Sequence, residues 1–263
     1  MKRFILFILV VGVGIPIVMA TPSIPSIFPK NQITQTPEQL LAKAVQSIGG
    51  RKQLNSLESF QLHGIMRLRD DRPVVEVDLA TKKGGKVLGV ITYIGLGQSR
   101  FGSDGDTAWE QNLDANNEET WTIIDDATLA QKVEQMNWLK WFTSLPTRLT
   151  DMEVIGEEEF DSEDCWKVRI AKNGQKEQTA FFSKLTYRPK GRRTVENTND
   201  GDTIVDVYFR DWERVEDLLL FHTVVYSREG TTITLNLDRI MINKTKDGVF
   251  ILPEPIIQLR DMP

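Results

Sequence analysis

The sequence predicts a β-dominated α+β fold: a curved antiparallel sheet forming an unclosed half-barrel, with amphipathic helices covering its concave face. Three observations predict it. From about Leu57 onward apolar and polar residues alternate, as where Phe60, Leu62, Met66 and Leu68 are set against Gln61, His63, Arg67 and Arg69, the period of half-buried strands. Gly84-Gly85, Asp104-Gly105, Asn116-Asn117, Asn173-Gly174 and Asp200-Gly201 fall where hairpins need positive φ, so sequence neighbours pair antiparallel. Two stretches break into helical spacing instead, and a sheet with this many strands coils strongly rather than lying flat.

The elements follow in order. Residues 1–20 read as a secretory signal peptide: Lys2 and Arg3 form the positive head, Phe4 to Val18 the apolar run, and Val18-Met19-Ala20 the cleavage site. The run is shorter than the roughly 20 residues that span a bilayer, so cleavage near Ala20 is favoured over a retained N-terminal anchor. Pro22, Pro25 and Pro29 make residues 21–35 a flexible leader. Residues 36–263 form the folded domain. It opens with Thr36-Pro37-Glu38-Gln39, a capping box with Pro in the first turn. Leu40, Leu41, Ala44, Val45 and Ile48 then line one face of a helix over 37–48, stopped by Gly49-Gly50. Strands are predicted at 57–69, 73–80, 86–94, 97–103, 106–112, 118–124, 151–159, 164–171, 177–184, 192–197, 203–210, 219–228 and 231–242. Asp125-Asp126 starts the second helix, 127–142, with Leu129, Val133 and Met136 on one face and Trp138, Trp141 and Phe142 at its end.

Composition removes several function classes. The chain carries a net charge of −5, and −7 once residues 1–20, with two cations and no acid, are set aside. Nucleic acid, which demands clustered Lys and Arg, is therefore not an expected partner. Cys165 is the sole cysteine, which excludes an internal disulfide in the oxidising compartment an export signal implies. Two histidines, His63 and His222, with one cysteine and no ligand spacing do not build a zinc site. The acidic run from Glu157 to Asp164 has its glycine, Gly156, ahead of the carboxylates, unlike a calcium loop. A serine nucleophile elbow is missing, and Cys165, although Lys167 could help it, reads as an incidental strand cysteine beside charged residues. The sequence thus points to no metal, no cofactor and no catalytic residue.

Three stretches resemble the LolA/LolB-like family of exported bacterial lipoprotein carriers. The opening helix ending Ile48-Gly49-Gly50 and running into Leu57-Glu58-Ser59-Phe60-Gln61-Leu62-His63-Gly64 is similar to the start of that family. Ser103-Asp104-Gly105-Asp106-Thr107-Ala108-Trp109 resembles its recurrent hairpin. Tyr208-Phe209-Arg210-Asp211-Trp212-Glu213-Arg214-Val215, the strand through Phe221, and Asp247-Gly248-Val249-Phe250-Ile251-Leu252-Pro253 are similar to its closing strands. The resemblance spans roughly residues 36 to 255. The chain departs from the family in its greater length, in lacking the anchoring cysteine of the receptor branch, and in His222 where relatives often have proline.

The resemblance implies a carrier or binding protein for lipid, lipoprotein acyl chains or another apolar ligand, working in the periplasm or cell envelope, with an envelope membrane partner as a further expectation. The candidate lid and cavity residues are Leu41, Val45, Trp109, Leu129, Val133, Met136, Trp138, Trp141 and Phe142. A helix of this kind can merely complete a dry core; a deeply curved sheet leaves volume that two short helices fill incompletely. The rival readings are an envelope sensing or interaction module of the same fold, and a hydrolase.

Overall fold

Thirteen antiparallel strands form one sheet in the computed structural model of the chain, which describes residues 35–113, 118–136, 152–170, 178–198 and 201–262. The strands are β1 (Ser59–Leu68), β2 (Pro73–Lys82), β3 (Lys86–Tyr93), β4 (Gly97–Asp104), β5 (Ala108–Leu113), β6 (Glu119–Ile123), β7 (Met152–Phe160), β8 (Glu163–Ile170), β9 (Gln178–Ser183), β10 (Pro189–Thr198), β11 (Gly201–Val215), β12 (Leu218–Arg228) and β13 (Thr231–Ile242). Each coincides with a predicted strand, β11 being the most extended beyond its expected end.

Strand order is β6-β5-β4-β3-β2-β1-β13-β12-β11-β10-β9-β8-β7. Two meanders therefore meet in the middle, where the first and last strands pair from Phe60↔Ile242 to Leu68↔Ile233. The sheet does not close: β6 and β7, adjacent in sequence, are its two edges. Register shifts at His63/Gly64, Met66/Arg67, Val154/Gly156 and Pro189/Gly191 add local twist and bend, which rolls so wide a sheet into a half-barrel.

Helices α1 (Pro37–Ser47), α2 (Arg51–Asn55) and α3 (Asp126–Met136) accompany the sheet. The α1 capping box is present: Gln39 N donates to Thr36 Oγ1 at 3.3 Å and Thr36 N donates to Gln39 Oε1 at 3.3 Å. Gly49 and Gly50 then turn the chain with φ of 126° and 87°. At Gly49 the backbones nearly touch, since a Cβ there would lie 2.6 Å from the Asp217 carbonyl oxygen, and Leu219 N donates to Ile48 O at 3.0 Å. The end of α1 is thereby fastened to the β11–β12 turn. Thr128 N donates to Asp125 Oδ1 at 2.7 Å and starts α3. Gln35, the last residue of the expected leader, is 7% exposed, donates to Gln39 Oε1 and accepts from Lys43, so it belongs with the domain. The expected signal peptide and the rest of the expected leader lie outside the described residues.

One continuous core occupies the concave face. It joins α1 (Leu40, Leu41, Ala44, Val45) and α3 (Leu129, Val133) to inward residues of both meanders, among them Leu62, Leu79, Phe101, Val168, Phe182, Phe209, Phe221 and Leu235. Gly89 makes room for the Phe101 ring, because a Cβ there would lie 2.3 Å from it.

The outer face carries two smaller clusters. One is Trp109, Leu252 and Ile256, packed with Leu88 and Trp121. Here the sequence reading needs correction: Asp247 to Pro253 form no closing strand. Asp247–Phe250 is a 3-10 turn, and it leads into a helix, α4 (Glu254–Asp261), with Pro in its first turn. Leu252 and Ile256 bury themselves on the Trp109 side of the sheet, and that burial favours the helical turn over an added strand.

The other outer cluster stacks Phe160 on Phe181, centroids 3.9 Å apart, beside Cys165 and Tyr208. Burial first, then Glu163, pushes the Cys165 thiol up to about 12, which leaves a protonated core thiol rather than a nucleophile. Next to it Glu158 accepts from Lys167 and Arg193, both at 2.7 Å. The Lys167 hydrogen bond, aided by Arg193 and opposed by burial, holds the Glu158 carboxyl below its ordinary 4.5. A carboxyl with a lowered pKa in the folded state adds stability above about pH 4.5, and that stability is lost as pH falls through the folded value. Glu158→Gln should therefore lower stability at neutral pH and narrow its gap to wild type in acid, measured by urea unfolding at about pH 7 and about pH 3. A gap that stays constant would contradict the assignment.

Candidate functional site

The site is built where the β2–β3 and β11–β12 turns approach the end of α1. An apolar cavity of about 330 Å³ opens there, with Ile48, Leu54 and Leu57 on the helical side, Phe60, Val87, Leu218, Leu220, Phe221 and Ile242 on the sheet side, and Val133 reaching it from α3. Alternation explains the wall: Phe60, Val87, Leu220 and Ile242 are inward members of their strands, while the outward neighbours Ser59 and Lys86 stand at the rim. Its volume lies at the lower end of the range for small-molecule pockets, about 300 to 1,000 Å³.

The floor is rigid. Phe221 is fully buried, stacks on Phe209 with centroids 4.7 Å apart, and meets Trp212 edge-on at 5.7 Å. The α3 side is held differently. Leu129 and Val133 are its buried apolar residues among those whose side chains are described, 9% and 6% exposed, and Lys132 reaches Glu110 of β5 at 2.7 Å. Because both partners of that ion pair are partly exposed, it holds α3 only weakly.

The hairpin beside the cavity is laced by ion pairs, with Lys82 and Lys86 on its outward side and Lys83 paired to a lining carboxylate. Lys82 and Lys86 donate to the two oxygens of Asp247 at 3.0 and 2.9 Å, and Lys83 donates to Glu58 at 2.6 Å. Asp247 is held below the usual carboxylate range by Lys86 and then Lys82.

Among the predicted site residues, Leu41, Val45, Leu129 and Val133 come together in the concave core, and of these four Val133 lines the cavity. Trp109 is separated from them: it is buried on the outer face against α4, centroids 5.6 Å from Trp121. Ala108 is the inward residue of that pair, and alternation places the two on opposite faces. Met136 ends α3, and its side chain, like Trp138, Trp141 and Phe142, lies outside the described residues. Sequence reasoning missed Ile48, Leu54, Leu218, Leu220 and Phe221 as cavity residues. Leu218 and Leu220 alternate immediately after the Glu216-Asp217 turn, a signal legible in the sequence.

The histidines lie elsewhere. His63 Nδ1 is 2.5 Å from Asp238 Oδ1 at a part-exposed site, and His222 Nδ1 is 3.0 Å from Leu237 O.

The chain's open antiparallel half-barrel, with helices on its inner face, is a fold seen in solved structures. The chain shares it with a DUF1329 family protein from Desulfovibrio piger ATCC 29098, at TM-score 0.54 and 14% identity over 83% of this chain and 98% of that one. A LolA superfamily protein from Nitrosomonas europaea aligns at TM-score 0.51 and 11% identity, over 83% of this chain and 99% of that one. No protein-family model and no curated protein matches the sequence.

Proposed function

We propose that the chain is an exported, non-catalytic carrier or binding protein that reversibly holds an acyl chain, of a lipid or a lipoprotein, in the cell envelope. The observation that carries this reading is the apolar cavity on the concave face, walled by core strands and reached by Val133 of α3. The signal-like residues 1–20 supply the export part of the reading and the LolA-like fold supports the binding part.

The mechanism is helix displacement. Burying roughly 300 to 400 Å² of acyl chain provides about 8 to 10 kcal/mol of gross stabilisation at about 25 cal/mol per Å², before ordering costs. That offsets the loss of α3's apolar contacts, so the helix yields as the ligand's methylenes replace Leu129 and Val133 against the sheet. Trp138, Trp141 and Phe142 are proposed ligand-binding residues in this reading.

Mass spectrometry of lipid extracted from the purified native protein tests the proposal, together with uptake of a fluorescent fatty acid. Val87→Trp adds bulk at a wall position that is 8% exposed. It should cut uptake on the order of tenfold, a loss of about 1.4 kcal/mol of binding, measured where the variant remains folded, since overpacking a core position costs about 1 to 3 kcal/mol of stability. Protein that carries no lipid and takes up no probe would overturn the proposal.

A further inference from the structure

Two adjacent arginines of β10 face opposite ways. Arg193 points outward over the Phe160 and Phe181 rings, where Asp206 and Glu158 each meet its guanidinium at 2.7 Å. Arg192 points inward, because its partners across the ladder are Ala180 and Val207, both in the concave core. Among the described residues its guanidinium has no carboxylate partner: Nη1 donates to Gln178 Oε1 at 3.4 Å, and Nε, sealed from solvent, donates to nothing. A donor sealed in this way has given up hydration without a replacement. Trp166, 8% exposed on β8 of the same face, also has an Nε1 with no acceptor. Two sealed N–H groups on one apolar face call for the same complement, an oxygen acceptor, and the Arg192 charge favours an anionic one. Arg192 does not line the cavity described above, but the two are joined along β11. Arg192 stands beside Val207, and the cavity floor residue Phe221 beside Trp212, five residues farther on, about 16 Å at about 3.3 Å per residue. A long acyl chain laid along that strand covers the distance.

We infer that the concave face holds a second subsite, centred on Arg192, for the carboxylate or phosphate headgroup of an acyl lipid whose tail enters the cavity. The subsite rests on the carrier reading and adds to it the ligand's charge and the strand that holds its head. A neutral acyl ester enters the same cavity without this anchor.

The test compares cis-parinaric acid with its methyl ester, two probes with the same tail, on the native protein at neutral pH. The acid should bind more tightly by on the order of tenfold, the scale of one hydrogen bond to a charged group. Arg192→Met should cut that preference to less than about twofold and leave ester binding in place. Its melting temperature should equal or exceed that of the unmutated protein, because an apolar side chain of similar reach leaves no donor sealed without an acceptor. Arg192→Lys, which keeps the charge, should retain part of the preference. On the unmutated protein, inorganic phosphate at constant ionic strength should weaken acid binding and spare the ester, a readout that does not depend on how either variant folds. Oleic acid and lysophosphatidic acid, as competitors, should both displace the acid probe, and the one that does so at lower concentration identifies a carboxylate or a phosphate head. Equal binding of acid and ester, an acid preference that survives in the folded Arg192→Met variant, or equal loss of both probes in it would overturn the subsite and leave the carrier reading intact. Binding of neither probe by the native protein would overturn the carrier reading itself, and the subsite with it.

Discussion

Gly191→Ala is expected to destabilise the fold by about 3 kcal/mol or more, at the upper end of what a single methyl group costs. A Cβ at this position would lie 2.0 Å from the Val207 carbonyl oxygen and 2.8 Å from the Phe160 ring. The first neighbour is backbone of the adjacent strand, paired in register from Gly191↔Tyr208 to Thr198↔Gly201, so it cannot rotate away as a side chain would. The second belongs to the Phe160–Phe181 stack, which has no slack at 3.9 Å. Relief must come from pulling β10 off β11, and the ladder that links β7, β8 and β9 to the rest of the sheet opens with it. Urea unfolding followed by tryptophan fluorescence measures the loss. A midpoint within experimental error of wild type would show that the two strands do not approach as described.

Phe221→Ala should cost about 3 to 5 kcal/mol, the usual penalty for emptying a buried aromatic site. Phe221 is fully buried and joins the Phe209 and Trp212 rings to the cavity floor. Its removal both deletes apolar contact and merges new empty volume with the existing pocket. A ligand that fills the enlarged space binds only the folded state, so an excess of acyl probe should restore part of the lost stability. Thermal unfolding with and without probe checks this. A larger upward shift for the variant than for wild type is the expected result; no shift in either would count against ligand binding there.

Much of the fold was legible because its determinants are local. Thirteen strands could be counted from alternation and turn residues, and the capping box at Thr36 and Gln39 is written in four consecutive letters. The pairing of β1 with β13 has no local signature: it joins residues such as Leu62 and Ile240 that lie far apart in sequence, and only the complementarity of two apolar faces selects it. The helix at Glu254–Asp261 was missed because it is short and its signal, Pro255 followed by Ile256, needs the Trp109 cluster to give it something to bury against. The site was half legible. Helical spacing identified Val133, but period two says only that Ala108 and Trp109 face opposite ways, not which of them faces the cavity. The cavity itself has no local signature, because it arises from the tertiary approach of α1, the hairpin at Lys82 to Lys86 and the β11–β12 turn.

The two unpaired borders of the sheet are consecutive in the chain, and α3 lies on the stretch that connects them. No rung of the thirteen-strand ladder runs through that helix. Lifting it therefore costs side-chain contacts and an ion pair but breaks no bond between strands. The sheet can thus stay fully laced when α3 is displaced, so in the proposed carrier reading the durability of the scaffold is set apart from the ease of ligand exchange.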